Sequence, residues 1–575
     1  MTLTEVKIEP MTRLEGHLGV HAVADLEKKT YTDAHSFVTM FRGWELILRN
    51  REPADAPWLT QRVCGVCPVP HGIASVMAVD MAYKAPPPPM GIALRNLAFG
   101  SEQLYDAAIG CFVLEGPDYS QSIVEQYNPD WWDEAQRTKP EHSDIHGYEK
   151  ISDIMTGLNP ITGELWLRSL SIEKLGRKMA SLLGAKHPHI NTLIPGGMSL
   201  TVRPTELEQF ASMLSQHVAF AKEFIPIFND LMDFVLDMDY GAVGQRELDM
   251  ISNGAYEDPS AYTAKYEDLS DWGVKRRVTP GVVINGEVIS NDLLEIHLGV
   301  RDHVDRSYYE DSWETGVTQD PMGNAVDKQH PWNKQTIPAP GDYADWNNKY
   351  SWAIAPRWLD WKKRADGESH SLEAGPVCRL YITAKSKKVP ESTGESIKFS
   401  LPKATIVGYK VSDEMDFEWK APKLINTVER VRARAYYYAY SAYVMYQDVL
   451  KGLELVKAGK AKVWNRYRKP RDGLGVGMVD AMRGALAHWV VMKNQRIANY
   501  QIISPSTWNA GPRLNDDDLS PYESAIIGSP VTEAYTGNEL YGVDVVRVVR
   551  AFDPCLACCV HLYKGDKKIG FIPEI

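Results

Sequence analysis

Hydrophobic and polar residues along the chain alternate with two different periods, and this change predicts where strands give way to helices. In the first forty residues, "VKIEP" and "HLGVHAVADL" alternate apolar and polar positions, which is typical of half-buried strands joined by a turn. The stretch "SFVTMFRGWELILRN" (36–50) has its apolar residues near helical spacing. The same spacing continues over 90–116, after an extended proline run at 86–89. The pattern predicts a small N-terminal sheet followed by helices.

Two long amphipathic helices are predicted later in the chain. The first begins at Thr205, which forms a T-x-x-E capping box with Glu208, and Pro226 is expected to kink it. The second follows Asn426, with Glu429 at the capping-box distance. Its tyrosine-rich body, "AYYYAYSAYVMY", indicates a packing surface, because tyrosine fills helix interfaces while its hydroxyl stays paired.

The remaining segments favour a mixed fold. Residues 250–350 are polar and weakly periodic, which indicates long loops and short strands. "GPVCRLYITA" (375–384) and "ATIVGYKV" (404–411) are predicted to be strands. We therefore expect an α+β class, with a central bundle of long helices and small peripheral sheets in one large unit over residues 1–561.

Composition supports one large globular unit and argues against nucleic acid as a partner. Hydrophobic residues make up 44% and charged residues 24% of the 575 residues, as in ordinary globular proteins. Length alone suggests roughly three or four domains, but no linker, repeat or low-complexity tract divides the chain. The net charge of −12 leaves no basic excess for nucleic acid.

No apolar run reaches the roughly 18–20 residues that cross a bilayer, and the N-terminus has no signal-like apolar region. The expected location is cytoplasmic, or peripheral to a membrane through partners.

The cysteines are the clearest chemical signal. Among seven cysteines, four form two C-x-x-C pairs near opposite ends of the chain. Cys64 and Cys67 are followed by His71 in "RVCGVCPVPH", and "DPCLACCVH" (553–561) has the same order of two cysteines and a histidine. The spacing lets the two thiolates of a pair converge on one metal. Two such pairs predict a shared metal site.

The residues alone leave two kinds of metal site open. One is a structural zinc closed by four thiolates, which would tie the ends of the chain together without catalysis. The other is a site of metal or redox chemistry, which the C-x-x-C spacing suits better than a disulfide framework. The separation of 488 positions from Cys67 to Cys555 argues against zinc, because zinc sites usually collect their pairs locally. Cys111 and Cys378 stand alone and are expected to be small buried residues.

Several motifs together resemble the large, catalytic subunit of nickel-iron hydrogenases. The two cysteine motifs resemble the family's R-x-C-G-x-C-x-x-x-H and D-P-C-x-x-C-x-x-H signatures. Four further segments resemble family segments in the same order: "RLEGHLGV" (13–20), "FRGWE" (41–45), "RGALAHW" (483–489) and "SPSTWNAGPR" (504–513). The resemblance therefore covers nearly the whole chain.

The resemblance implies a role for each matching residue. Cys64 and Cys555 would be terminal nickel ligands, and Cys67 and Cys558 would bridge nickel to iron in a Ni-Fe(CN)2(CO) centre. Arg483 would lie over the open metal position, and Glu15 would receive a proton from Cys555. The remaining implied residues are Glu45, the Ile502 carbonyl and His561 as Mg²⁺ ligands, Pro505 and Ser506 as cyanide neighbours, His71 as a partner of a bridging sulfur, and Asp553 and Asp118 as partners of Arg483.

The sequence departs from the family pattern at three places. Met482 stands where the family often has proline before Arg-Gly, and "SEQLYDAAIGCF" (101–112) replaces a histidine-rich helix. Cys559 is an additional thiol beside Cys558. These departures concern the subgroup and the Asp118 assignment, and they leave the four metal thiolates in place.

The function that the resemblance implies is heterolytic cleavage of H2 to two protons and two electrons, in the uptake direction. No further C-x-x-C set remains for iron-sulfur clusters, so they are expected only in a partner small subunit. A maturation endopeptidase is expected to cleave after His561 and remove 562–575, although an ordinary ordered tail is the alternative. Heterodimers could assemble further. The rival functions are a zinc-thiolate scaffold and a quinone-binding relative in a respiratory complex.

Overall fold

The computed structural model describes residues 3–313, 316–341, 345–363, 367–406, 409–537 and 539–556. The helices are α1 Trp44–Leu48, α2 Ala56–Thr60, α3 Pro68–Tyr83, α4 Pro89–Ile109, α5 Gln121–Tyr127, α6 Pro129–Ala135, α7 Ser143–His146, α8 Ile151–Gly157, α9 Glu164–Gly184, α10 Pro204–Asp237, α11 Leu269–Gly273, α12 Leu293–Gly299, α13 Pro376–Ser386, α14 Thr427–Lys457, α15 Pro505–Ala510, α16 Pro521–Ile526 and α17 Val543–Ala551.

Most strands are short, and the longest ones lie in two sheets. They are β1 Leu3–Ile8, β2 Leu18–Asp25, β3 Thr30–Val38, β4 Leu193–Ile194, β5 Gly197–Met198, β6 Met250–Ser252, β7 Ala255–Glu257, β8 Arg276–Val278, β9 Gly281–Ile284, β10 Glu287–Ser290, β11 Val300–His303, β12 Ala355–Leu359, β13 Ser369–His370, β14 Glu373–Ala374, β15 Ser396–Leu401, β16 Ala404–Ile406, β17 Tyr409–Ser412, β18 Met415–Lys420, β19 Gly473–Ala481, β20 Gly484–Lys493 and β21 Arg496–Ile503. The longer strands form two antiparallel sheets, β1-β2-β3 and β19-β20-β21.

Long helices form the centre of the molecule, as the sequence predicted. α14 packs against α10 on one side and α4 on the other, and α4 also packs against α9. Asn426 caps α14 by accepting the backbone N–H of Glu429 at 2.9 Å, which confirms that helix start. The tyrosines of α14 lie in the interface: Tyr438 is fully buried against Phe224 of α10. The α+β class with small peripheral sheets is confirmed.

Helix α3 lies against strand β19, and glycine makes this close approach possible. A Cβ atom at Gly475 would lie 1.9 Å from the Ala78 carbonyl oxygen, and one at Gly477 would lie 1.8 Å from that of Ala74. No side chain fits at these distances, so the strand and the helix backbone touch directly. This contact fixes the position of α3, which begins directly after Cys67.

Two local predictions of element type were wrong. Residues 36–50 are not one helix, because β3 extends to Val38 and only Trp44–Leu48 is helical. Residues 375–384 are not a strand: Pro376–Ser386 is helix α13, which starts with proline at its first position. A short apolar run is compatible with both the strand period and the helix period. Residues up to Val38 form a strand because they pair with β2, and Pro376–Ser386 forms a helix that packs on α14.

The start of α10 also differs from the prediction. The helix begins at Pro204, and the Arg203 backbone N–H donates to Glu206 at 2.9 Å, so Thr205 and Glu208 do not form the cap. Proline at the first helical position moves the start forward, because its fixed φ suits that position. The helix continues through Pro226 to Asp237. Among the described residues, no helix combines the length and the apolar character that crossing a bilayer requires.

Candidate metal centre and its surroundings

Three of the four predicted metal cysteines lie together in the interior. The Sγ atoms of Cys64 and Cys555 are 3.2 Å apart, and those of Cys67 and Cys555 are 3.5 Å apart. All three Sγ atoms lie within 4.8 Å of one another, and the residues are at most 2% exposed. Clustered, buried soft donors of this kind fit a thiophilic metal. Cys558 lies outside the described residues, as do Cys559 and His561.

The cluster forms because the two ends of the chain meet. Glu15 and Cys555 form a parallel bridge between two extended segments. The Glu15 N–H donates to the Pro554 carbonyl at 3.3 Å, and the Leu556 N–H donates to the Glu15 carbonyl at 2.6 Å. The Cys555 N–H donates to the Ser506 hydroxyl oxygen at 2.9 Å. The C-terminal cysteine is therefore held by residues from two distant parts of the sequence.

The loop of the first cysteine pair is held by backbone hydrogen bonds. The Cys64 sulfur accepts the N–H groups of Val66 and Cys67 at 3.3 and 3.2 Å. These N–H groups, at the start of helix α3, direct their partial positive charges at the Cys64 sulfur. Arg42 donates to the carbonyl oxygens of Arg62 and Val63, both at 2.7 Å. The "FRGWE" segment thus positions the cysteine loop, a role that no sequence pattern indicated.

Glu15 contacts the cysteine that the sequence analysis paired with it. Its Oε2 lies 3.3 Å from the Cys555 sulfur, a distance at which a thiol can donate to a carboxylate. The residue is half-buried, so it stands between the enclosed cluster and more accessible parts of the molecule. The geometry suits a carboxylate that exchanges a proton with a cysteine.

Arg483 is buried between two carboxylates. Its guanidinium bonds Asp106 through two nitrogens, at 2.7 and 3.0 Å, and Asp553 at 3.0 Å. Burial opposes the charge of Arg483, but Asp106, Asp553 and the cysteines Cys555 and Cys67 outweigh it and hold its pKa well above the usual value. A fixed cation therefore lies beside the sulfur cluster.

Asp118 does not hold Arg483, and this assignment is corrected. Asp118 Oδ1 accepts from Arg550 at 2.7 Å and also pairs with Arg13. The second partner of Arg483 is Asp106, which lies on helix α4, before Asp118 in the chain. Burial raises the pKa of Asp106 to about 6, against the opposing effect of Arg483. The signal for Asp106 was a charged residue within a helix whose other residues are mostly apolar.

His71 starts a chain of buried polar groups. Its Nδ1 lies 3.1 Å from Nε2 of His488, whose Nδ1 lies 2.8 Å from the Tyr500 hydroxyl, and that hydroxyl donates to Ser75 at 2.8 Å. Burial lowers the pKa of His71 to about 4, although the charge of Cys64 works in the opposite direction. The chain holds the His71 ring through the contact of its Nδ1 with His488.

Residues assigned to Mg²⁺ lie near a second buried acidic group. Glu45 is on α1, which packs against β21, the strand of Ile502. Burial raises the pKa of Glu45 to about 8, and the charge of Asp302 adds to this. Both carboxylate oxygens of Asp302 are buried and have no hydrogen-bond partner within the described part of the chain. Burial raises the pKa of Asp302 to about 7, and Lys334 opposes the rise.

This acidic group fits a hard cation, which prefers oxygen ligands. Asp302 and Lys334 were missed because they belong to a polar, weakly periodic region where sequence patterns carry little information.

Pro505 is buried at the start of α15, next to Ser506. Cys111 and Cys378 are fully buried, and burial raises the pKa of both thiols, as expected for inert residues.

The known proteins that this chain is similar to are hydrogenases. A family model described as nickel-dependent hydrogenase matches residues 42–138 and 146–561. The actinobacterial-type NiFe-hydrogenase from Ralstonia eutropha H16 has a similar structure, with a TM-score of 0.93 and 36% identity over 97% of this chain and 100% of that chain. The hydrogenase-2 large chain of Escherichia coli K12 is 25% identical over 98% of both chains. The uptake hydrogenase large subunit of Bradyrhizobium diazoefficiens is 26% identical over 98% of this chain and 96% of its own length.

Proposed function

Because this chain belongs to the nickel-dependent hydrogenase family and is a catalytic large subunit of that enzyme class, we propose that it oxidises H2 heterolytically and passes two electrons to an iron-sulfur small subunit. The observation that carries the proposal is the meeting of Cys64, Cys67 and Cys555, from opposite ends of the chain, in one buried cluster. The uptake direction is supported by similarity to relatives that are named uptake hydrogenases.

The metal centre in this proposal is Ni-Fe(CN)2(CO), held by Cys64, Cys67, Cys555 and Cys558. The soft, buried sulfur atoms of the three described cysteines support it. When bound, such a centre supplies an open coordination position for H2 and accepts electrons. Pro505 and Ser506 would line the cyanide side, and His71 would hydrogen-bond a bridging sulfur. Ser506 already accepts the Cys555 N–H, so its hydroxyl hydrogen can point to another acceptor.

Arg483 would supply a fixed positive charge beside the cysteines, and Glu15 would transfer the proton. Arg483 keeps a positive charge beside the cysteines, because Asp106 and Asp553 hold its guanidinium in a fixed orientation. Glu15 Oε2 would take the proton from the Cys555 sulfur and release it toward the surface. A half-buried position suits a group that connects the two environments.

The proposal includes Mg²⁺ as a structural ion. Glu45, the Ile502 carbonyl and His561 would be its ligands, and the buried oxygens of Asp302 add negative charge nearby. Because His561 follows the second cysteine pair, this ion would help to anchor the C-terminal segment.

Maturation and assembly complete the proposal. An endopeptidase would cleave after His561, which leaves 1–561 as the catalytic unit and removes 562–575. Heterodimers with the small subunit would be the basic assembly, and larger assemblies of heterodimers are compatible with it. A location in the cytoplasm, or at a membrane through partners, stays a prediction.

Infrared spectroscopy combined with metal analysis tests the central proposal. The purified protein is expected to show bands of metal-bound CO and CN⁻, and to contain nickel and iron. Zinc without nickel would select the zinc-thiolate scaffold instead. An active preparation without CO and CN⁻ bands would refute the proposed centre.

The role of Glu15 has a separate test. Glu15→Gln keeps the side-chain shape but cannot carry the acid proton, so H/D exchange should slow by about 100-fold or more. Nickel and iron contents should stay the same, because Glu15 is not a ligand. Unchanged exchange in this variant would remove Glu15 from the proton route.

A further inference from the structure

Helix α4 carries a second buried carboxyl group close to the cysteine loop. Glu102 lies one turn before Asp106, so both side chains are on the same face of the helix. Glu102 Oε2 accepts the backbone N–H of Val69 at 2.8 Å, just beyond the C-x-x-C pair. The residue is fully buried and has no cationic partner among the ion pairs of the described residues.

The hydrogen-bond partners of the two Glu102 oxygens indicate which oxygen carries the proton. Oε2 accepts from Val69 and lies 3.1 Å from the Tyr105 hydroxyl, whereas Oε1 is buried and has no partner within the described ranges. Burial raises the pKa of Glu102 well above its usual value, and the charges of Asp106 and Cys64 raise it further. The neutral acid therefore carries its hydrogen on Oε1, where no acceptor of the described chain is available.

Tyr105 connects Glu102 to a histidine nearer the surface. Its hydroxyl lies 3.1 Å from Glu102 Oε2, 3.0 Å from the Val66 carbonyl and 3.0 Å from Nε2 of His187. A hydroxyl has one hydrogen to donate, so three neighbours allow it to rotate between acceptors. His187 is half-buried, and burial together with the charge of Arg177 lowers its pKa to about 4, which keeps the ring neutral and able to accept.

We propose that Glu102, Tyr105 and His187 form a second proton relay from the metal centre to the surface, separate from the route through Glu15. This inference rests on the proposed function, because the relay needs protons released at the cysteine cluster. Its basis is a continuous line of hydrogen-bonding groups that starts behind the cysteine loop and ends at a half-buried imidazole.

The transfer balances without any added reactant. Glu102 starts as the neutral acid, and rotation of its carboxyl group turns the Oε1 hydrogen toward Tyr105; the carboxylate left after the transfer takes a new proton released at the cysteine cluster. The Tyr105 oxygen takes this proton as its own hydrogen moves to Nε2 of His187. His187 then loses the proton from Nδ1 to water and returns to its neutral form. This leaves His187 as the Nε2–H tautomer, and exchange of its ring protons with water restores the Nδ1–H tautomer that accepts at Nε2. Each group has then returned to its starting form, and one proton has moved outward.

A double-variant experiment on the complete enzyme tests the relay. In the Glu15→Gln background, adding Glu102→Gln should slow H/D exchange by at least a further factor of about ten, because the second route is then also closed. Tyr105→Phe in the same background should give the same loss, and combining it with Glu102→Gln should add nothing, because the groups act in series. A smaller additional loss for Glu102→Gln and Tyr105→Phe would overturn the proposal.

Infrared spectroscopy supplies the readout that a structural role would not change. The wild-type protein should show a C=O stretch of a protonated carboxylic acid that shifts in D2O and disappears in Glu102→Gln. The CO and CN⁻ bands should be unchanged, which separates a relay defect from loss of the metals. Subtraction of the Glu102→Gln spectrum from that of the wild type isolates this band from those of other buried acids such as Glu45 and Asp448. A difference spectrum without an acid band would mean that Glu102 does not hold the proton.

Tyr83 offers a matched control on a neighbouring helix. Its hydroxyl donates to Glu52 at 2.9 Å, so it also forms a tyrosine–glutamate pair. Tyr83→Phe should leave H/D exchange unchanged in the Glu15→Gln background. Absence of CO and CN⁻ bands and of H/D exchange in the wild type would count against the proposed function, whereas normal wild-type behaviour without a Glu102 effect would count only against the relay.

Discussion

Arg483 shows how single residues set the electrostatics of the metal centre. One guanidinium bonds two carboxylates, Asp106 and Asp553, in a fully enclosed region. A buried arginine without such partners would be strongly unfavourable, because its charge could not be compensated by water. The two carboxylates therefore determine both the presence and the orientation of the cation beside the sulfur atoms.

Asp106→Asn should reduce catalysis more than it reduces folding. The amide keeps the size of the side chain but loses the charge that orients Arg483, so we expect about a 10- to 100-fold loss of H2 oxidation. Nickel and iron contents should remain near those of the wild type. Asp80→Asn is the matched control, because Asp80 also forms a buried pair, with Arg95 at 2.6 Å, but away from the cysteines. Equal losses of activity in both variants would contradict the role of Asp106.

The cysteines separate into ligands and packing residues. Cys64→Ser should abolish nickel retention, because a serine hydroxyl is a hard, weakly acidic donor that cannot replace a thiolate. Cys378→Ser removes an equally buried thiol that lies outside the cluster, and this variant should keep its nickel. Elemental analysis of both purified variants provides the measurement, and nickel at wild-type content in Cys64→Ser would contradict the ligand assignment.

At the scale of elements, the contact between α3 and β19 positions the first cysteine pair. Glycine recurs at every second position of β19, at Gly473, Gly475 and Gly477, so one face of the strand has no side chains there. The backbone of α3 lies directly on that face. This contact leaves no space for even a methyl group. It therefore determines the position of the start of α3 and of Cys67, which precedes it.

Gly477→Ala should displace α3 and destabilise the fold. The added Cβ would overlap the Ala74 carbonyl oxygen, so we expect a decrease of about 1–3 kcal/mol in the free energy of unfolding. Nickel retention should also fall, because Cys67 moves with the helix. Gly241→Ala is the control, since its Cβ would meet only the Leu236 side chain at an ordinary 3.6 Å. Chemical denaturation of both variants measures the difference, and equal stabilities would refute the packing argument.

At the scale of the whole molecule, a buried carboxyl between the long helices couples stability to pH. Asp448 of α14 is fully buried, and burial raises its pKa to about 7, although Arg277 and Asn96 oppose the rise. The folded protein therefore holds a proton that the unfolded chain has already released at the same pH. As pH increases from about 4 to about 7, this group makes the free energy of unfolding smaller.

Asp448→Asn should remove this loss of stability. The variant should gain stability relative to the wild type at pH 8, up to a ceiling of about 4 kcal/mol, and gain much less at pH 4. Denaturation midpoints at the two pH values provide the measurement. Glu454→Gln, on the exposed side of the same helix, should show no such dependence. A gain that is the same at both pH values would contradict the protonation argument.

The sequence by itself determined the class of fold, the long helices and the two cysteine pairs. These features depend on short-range periodicity, caps and motif spacing, which a single chain displays directly. The start of α14 at Asn426 was correct because its cap is formed by residues three positions apart. The resemblance of the cysteine motifs likewise needed only residues that are close in sequence.

The tertiary structure alone decided which distant groups meet. Asp106 rather than Asp118 holds Arg483, and α13 replaced a predicted strand, because packing between remote segments selected among locally equivalent choices. The route from Glu102 through Tyr105 to His187 is also invisible in the sequence, since His187 is remote in the chain from helix α4, which carries the other two residues. Hydrogen bonds and burial between remote residues depend on the folded arrangement, and no local pattern records that arrangement.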